Sequence, residues 1–311
     1  MSKKAFVFLA LLLALCVAGS LLLGKYGFSA GDYARYVTAL LWGESLKDFE
    51  VMHTLLLEIR LPRILACVLI GASLAISGAG FGAAVGMFFK LNEYLIQLST
   101  FGFGFLAVAV ALGISALYSR SGSVIVLVLG GVISGSLFTS LLSVLKYAAD
   151  PSDALPAITY FLMGSLGFAS KSFIQISILP MCAGVLLLAL SGKYLNALSL
   201  GEEEAKSLGV NTTRVKIFII LVATFVSALS VTIAGIIGWI GLIVPHIARF
   251  IFGADNRAVL ASSAMIGAIF LLFCDSFSRL IFTFEIPIGI VTSLFGIPMF
   301  IIVLRRAKRS F

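Results

Sequence analysis

Long apolar runs without a charged residue alternate with short stretches that hold almost every charge. Such runs occupy residues 5–24, 64–89, 94–119, 121–145, 172–192, 217–248, 258–274 and 286–304. Each is long enough, or nearly so, to cross the hydrocarbon core as a helix, which needs about 20 residues. The run 217–248 is too long for one crossing and carries Gly235, Gly238, Gly241 and Pro245. It is therefore predicted to break into a full span and a shorter helix. The pattern predicts an all-α polytopic membrane protein with about nine membrane segments. Lys3 and Lys4 before the first run are read as the flank of a retained helix, because its apolar core is longer than that of a cleaved signal and no clean cleavage site follows.

Composition strengthens this reading. Of 311 residues, 60% are hydrophobic and 12% charged, where a soluble domain carries about 25% charged residues. The spans leave too little chain for a soluble catalytic domain, so residues 1–311 are read as one transmembrane domain. The net charge of +8 does not indicate nucleic acid, since the basic residues sit at span ends. Lys3, Lys4, Lys193, Lys206, Arg214, Lys216, Arg305, Arg306, Lys308 and Arg309 mark the cytoplasmic face, which puts both termini in the cytoplasm. Residues 25–63, with an amphipathic stretch at 33–42, and 147–170 then lie on the other face.

Candidate chemistry inside the spans is sparse. The four cysteines are scattered, and His53 and His246 have no partner at ligand spacing, so no metal site is expected. Asp275 is the only carboxylate embedded in a span and lies one turn from Arg279, which favours local pairing over a proton relay. Gly78, Gly82 and Gly86, and Gly131 and Gly135, recur at the spacing that lets helix backbones approach in lipid. Helix packing explains them. A translocation path lined by Ser134, Ser136, Thr139 and Ser140 is the functional alternative.

The most informative segment is the loop 195–214. Ser199 and Glu202 form a Ser-x-x-Glu capping box, Gly209 suits a left-handed stop, and Asn211 can cap the helix that re-enters the membrane. Leu200, Ala205 and Leu208 give the short helix an apolar side, and Glu202, Glu203, Glu204 and Lys206 a charged one. A capped amphipathic helix projecting from a bundle suits docking onto a soluble partner. Three acidic residues facing an anionic leaflet weigh against a helix lying in the lipid interface.

At this loop the chain resembles the permease subunit of FecCD-type (type II) ABC importers, which carry ferric siderophores, haem or cobalamin. The resemblance rests on five stretches in the family's order: Glu58-Ile-Arg-Leu-Pro-Arg63, Tyr160-Phe-Leu-Met-Gly-Ser-Leu166, Leu198-Ser-Leu-Gly-Glu-Glu-Glu-Ala-Lys-Ser-Leu-Gly209, Gly238-Trp-Ile-Gly-Leu-Ile-Val-Pro-His-Ile-Ala-Arg249, and Glu285-Ile-Pro-Ile-Gly-Ile-Val-Thr-Ser-Leu-Phe-Gly-Ile-Pro298. It implies a homodimeric permease of the bacterial or archaeal cytoplasmic membrane, without enzymatic activity or a bound cofactor. Two ATP-hydrolysing subunits, which hold ATP and Mg, would rest on the loop through Ser199, Glu202, Glu203, Glu204, Leu208 and Gly209. A periplasmic or lipid-anchored binding protein would dock on Arg60, Arg63 and Arg279. The implied cargo is an iron chelate, ferric siderophore or haem, with cobalamin as the alternative. The rival from another class is a stand-alone secondary carrier, which the shortage of ionisable residues in the spans disfavours.

One departure stands out. Relatives continue from the Gly-Ala-Gly of the second span through an Asn-Pro-Leu-Ala-x-Pro-like turn, whereas Ser77-Gly-Ala-Gly80 here runs directly into Phe81-Gly-Ala-Ala-Val-Gly86. About twenty residues are missing by this comparison, and the family's ten spans become nine. Orientation arithmetic puts residues 63 and 90–93 on the same outer face, yet 64–89 is too short for two full crossings, which need about 40 residues. A shortened variant is the preferred reading. A re-entrant hairpin breaking at Gly78 to Gly82, or an inverted first helix, are the alternatives.

Overall fold

The computed structural model describes residues 3–22, 30–42, 49, 52, 77–118, 124–168, 171–281 and 284–307. The described elements are α1 (Lys3–Leu22), α2 (Ala30–Trp42), α3 (Ser77–Phe88), α4 (Glu93–Tyr118), α5 (Val124–Ala148), α6 (Ala154–Leu162), a 3-10 turn (Leu166–Phe168), α7 (Lys171–Leu190), α8 (Gly192–Leu198), α9 (Glu202–Ser207), α10 (Thr212–Ala234), α11 (Ile240–Phe252), α12 (Asn256–Leu280) and α13 (Ile288–Ala307). Among them α4, α5, α7, α10 and α12 are long and apolar enough to cross a membrane, while α1, α11 and α13 contain shorter apolar stretches. The all-helical polytopic fold agrees with the hydropathy pattern.

α10 and α12 carry most of the buried side chains. α10 packs on α4 and α7, and α12 on α1, α7, α8, α11 and α13. Met181 of α7, Ile233 of α10, Leu271 of α12 and Val291 of α13 meet in one core cluster. α3 and α4 form a tight hairpin. The Asn92 side chain accepts from the Leu95 amide at its turn, and Lys90 pairs with Asp153, joining this turn to the one between α5 and α6.

The long run divides where the glycines indicated, with α10 ending at Gly235 and α11 starting after Trp239. That break meets two others. The Ser165 amide donates to the Ala234 carbonyl at 2.9 Å. Gly164 (φ +74°) lies so close that a Cβ would come within 2.6 Å of the Ile236 carbonyl oxygen, and a Cβ on Gly235 (φ +69°) or Gly289 would collide with the carbonyls of Phe161 and Met163. The chain after α6, the chain after α10 and the start of α13 are thus packed backbone to backbone.

Some expectations need correction. The helix α3 runs unbroken through Gly78 and Gly82, so no hairpin breaks there. Both Gly82 and Gly86 face α4, where a Cβ would strike Ser99 and Ile96. The described helical part of this segment is the 12 residues of α3. On α5 the close approach is made by Gly130, 2.6 Å by the same measure from the Ala111 carbonyl, whereas Gly131 meets nothing. The buried face of α5 follows the 130, 134, 138 register, one position from the expected Gly131 and Gly135 stripe.

The junction generates a stability prediction. Gly289→Ala is expected to destabilise the detergent-solubilised protein by about 1–3 kcal/mol, the usual cost of overpacking against atoms that cannot move aside. Gly131→Ala should stay within about 1 kcal/mol of the parent. Thermal unfolding of the two variants side by side checks this contrast.

Candidate functional site

The loop between α7 and α10 folds into two short helices. α7 ends at Leu190 and α8 starts at Gly192, where the hydropathy reading still had the span. The expected Ser199 cap is not formed. Ser199 follows α8 and its hydroxyl donates to the Asn196 carbonyl, while the residue preceding α9 is Gly201 at φ +124°. Gly201 tolerates this φ, and the Glu204 carboxylate folds back into the space a Cβ would fill. The Gly201 amide donates to the Leu198 carbonyl, so the start of α9 has no side-chain cap. The other two signals are as expected: Gly209 takes φ +78°, and the Asn211 side chain accepts from the Arg214 amide at 3.1 Å.

Ala205 is fully buried under α9, and Leu200 and Leu208 are 64% and 63% exposed. Glu203, Glu204, Lys206 and Gly209 are exposed as well. The loop thus offers two uncovered leucines among acidic groups on a short, anchored helix pair.

The anchor is Asn196, which sequence reasoning missed. Its Nδ2 donates to Asp255 Oδ1 at 2.7 Å and its Oδ1 accepts from the Asn256 amide at 2.8 Å. Asp255 also caps α12, accepting from the Arg257 amide at 3.0 Å. These donors hold the Asp255 carboxyl below the usual aspartate value, the Asn196 bond contributing most. A folded-state value below the unfolded one contributes stability above pH 3.8 that is lost as pH falls through the lowered value. The clasp is therefore insensitive to pH through the neutral range. The Asp-Asn start of α12 is a local capping signal that the hydropathy reading did not use; the bond to a residue 59 positions earlier has no local signal.

Above this clasp lies a cavity of about 440 Å³, walled by α7, α8, α10, α11 and α12, with Arg249 and Asn256 in its lining. Away from the loop, an open groove of about 590 Å³ runs beside the glycine junction between Trp239 and Leu294.

The four candidate path residues divide. Ser134 is buried, and its hydroxyl donates to the Ala107 carbonyl of α4 at 2.7 Å, so it is a packing residue. Ser136, Thr139 and Ser140 are exposed on another side of α5; the Thr139 and Ser140 hydroxyls return to carbonyls one turn back. Asp275 is fully buried and pairs with Arg279 at 2.8 Å, the local pairing expected. The Arg279 side chain is only 12% exposed, which departs from the outward-facing position its docking role requires. Arg60, Arg63 and His53 lie outside the described residues. His246 is exposed on α11, its ring 5.8 Å from that of Phe300. Among the described residues no group of three His, Cys, Asp or Glu side chains is placed to hold a metal.

Comparison with known proteins follows the same lines. The profile of the FecCD transport family matches residues 11–83 and 77–306. The chain belongs to the FecCD transport family. Among FecCD-like relatives, the molybdate import system permease protein MolB of Haemophilus influenzae is 32% identical, covering 97% of this chain and 95% of its own. The hemin transport system permease protein HmuU of Yersinia pestis is 33% identical, over 97% and 96%. An inward-facing metal-chelate type ABC transporter superposes with a TM-score of 0.86 at 31% identity, covering 97% of this chain and 99% of that one. The protein is thus similar throughout to ABC permeases, which are transport subunits. The two pieces of the FecCD match meet at 77–83, the start of α3, where the shortened stretch was expected. The alignment with MolB runs over 328 positions against a chain of 311, so at least 17 of them have no residue here.

The buried pair yields a prediction. Asp275→Leu leaves an enclosed guanidinium without its carboxylate and should lower stability by about 3–5 kcal/mol, whereas Asp275→Leu with Arg279→Leu should cost far less. Thermal unfolding of both variants in detergent separates a pair kept for structure from a group the fold can lose.

Proposed function

We propose that this FecCD family member is the permease subunit of an ATP-driven importer in the bacterial or archaeal cytoplasmic membrane. Two copies form the translocation path and carry an iron chelate, ferric siderophore or haem, inward by alternating access. Each copy rests its α8–α9 loop on an ATP-binding subunit, where ATP and Mg reside. The observation that carries this reading is the anchored loop with exposed Leu200, Glu203, Glu204 and Leu208. Uncovered leucines ringed by charge have the anatomy of an interface, an apolar centre with a polar rim. A stand-alone carrier driven by an ion gradient is disfavoured because the one embedded carboxylate, Asp275, is paired with Arg279.

Both termini and the loop lie on the cytoplasmic side in this reading, following the basic residues. Arg60 and Arg63 face outward and receive carboxylates of a binding protein, while Arg279, only 12% exposed and paired with Asp275, serves the packing of α12 instead. Ser136, Thr139 and Ser140 stand on the exposed side of α5 that faces the path. The hemin relative and the metal-chelate type neighbour support an iron chelate. Molybdate is a second reading, supported by the 32% identity to the molybdate permease over 97% of the chain.

Uptake into proteoliposomes holding the permease, its ATPase and its binding protein tests the cargo, with labelled haem, a ferric siderophore and molybdate offered in parallel. Iron-chelate uptake that depends on ATP is expected, and transport of molybdate alone would replace the first reading with the second. Reversing charge at Glu202 and Glu203 (E202K/E203K) is expected to reduce co-purification of the ATPase and uptake together, since like or mismatched charges at an interface cost several kcal/mol, roughly. Unchanged co-purification and uptake would remove the docking role. R60E/R63E should weaken binding-protein affinity most at low salt, where exposed charges are least screened. Equal affinity at low and high salt would reduce these arginines to membrane anchors.

A further inference from the structure

The Asn196 side chain ties three elements together. From α8 it donates to Asp255 and accepts from the Asn256 amide. Asn256 is 8% exposed, and its own Oδ1 accepts from Arg249 in the last turn of α11 at 3.3 Å. At the other end of α8, Gly192 sits on the first turn of α12, where a Cβ would lie 2.7 Å from Arg257 Cα. α9 packs mainly on α8 and α10. The α8–α9 loop is therefore tied by side-chain hydrogen bonds to the turn between α11 and α12, besides its packing on α7 and α10.

α11 is built to respond. Pro245 has no amide hydrogen, so the carbonyl of Gly241 loses its partner within the helix and α11 is weakened at that point. Both residues line the 440 Å³ cavity, so the weakened side of α11 faces free volume. Beyond the weak point, Trp239 at the start of α11 borders the open groove and takes φ +68°, a conformation rare for a side chain of its size. One end of α11 is clasped to the loop, its middle is hinged, and its far end lines the groove.

We propose that Asn196 is the positioning residue that transmits displacement of the docking loop into α11, with the Asn196–Asp255–Asn256–Arg249 chain as the link and Pro245 as the hinge. This rests on the reading of the loop as an ATPase-docking element. The hydrogen bonds are contiguous, and the element they reach has room to take a second position, which is what physical transmission between sites requires.

A charge exchange tests it in the complete reconstituted transporter. Asn196→Asp sets a carboxylate against Asp255 and removes the donor between them. Uptake per ATP hydrolysed is expected to fall about tenfold, the scale of one lost bond to a charged group, with ATPase co-purification unchanged. Asp255→Asn alone keeps an oxygen for the Asn196 amide and should be nearly neutral. The double variant N196D/D255N exchanges donor and acceptor across the clasp and should restore coupling to within about twofold of the parent. Normal coupling in N196D would overturn the proposal. So would loss of the ATPase and uptake together in N196D without recovery in the double variant, which would make the clasp a shaping element of the docking surface only. Failure of the docking reading is separate and visible elsewhere, as unchanged ATPase co-purification in E202K/E203K.

Discussion

A peptide group in hydrocarbon has no water to bond with, so a helix that stops inside the membrane needs another segment to cover its open end. In this protein three interruptions cover one another. The chain leaving α6, the chain leaving α10 and the chain entering α13 converge on Gly164, Gly235 and Gly289, with the Ser165 amide donating to the Ala234 carbonyl. A side chain at these glycines would collide with the facing carbonyls and hold the backbones apart. The short helix α11 exists because of this junction, and α11 gives the bundle an element that does not span. The groove borders Trp239 at the start of α11, and Gly241 and Pro245 of its middle line the cavity.

The few charges are arranged by the same constraint. Within the spans, Asp275 and Arg279 neutralise each other inside one helix. At the ends, where water is near, charged groups join elements instead. Lys90 and Asp153 link two turns, and the Asp153 carboxylate raises the Lys90 pKa, chiefly through their hydrogen bond. Asp255 and Asn196 link the loop to α12. The separation is what a low dielectric dictates: an ion pair in the interior must be local and complete, while one at the surface can be long-range in sequence and modest in strength.

α3 meets the rest of the fold through small residues. Gly82 and Gly86 let α3 lie against α4 at backbone distance, and Ala84 packs with Ala149 and Ile158. α3 is thereby held by neighbours on two sides. The FecCD family match falls in two pieces that overlap at 77–83, within α3.

The sequence by itself determined the all-helical membrane fold, the division of 217–248, the left-handed stop at Gly209, the Asn211 cap and the pairing of Asp275 with Arg279. Each rests on a period of 3.6, on the length of the hydrocarbon core or on contacts within one turn, and all of these are local. Only the tertiary structure decided that Ser134 faces α4 while Ser136, Thr139 and Ser140 do not. Uniformly apolar helices carry no stripe to say which side turns inward, because lipid and protein interior are equally apolar. It also moved the start of α9 from Ser199 to Gly201, where Glu204 folds back over the glycine. The Asn196 clasp and the glycine junction were hidden for a simpler reason. Their partners are more than 50 residues apart along the chain, and such pairs are chosen by how whole helices pack rather than by their neighbours in sequence.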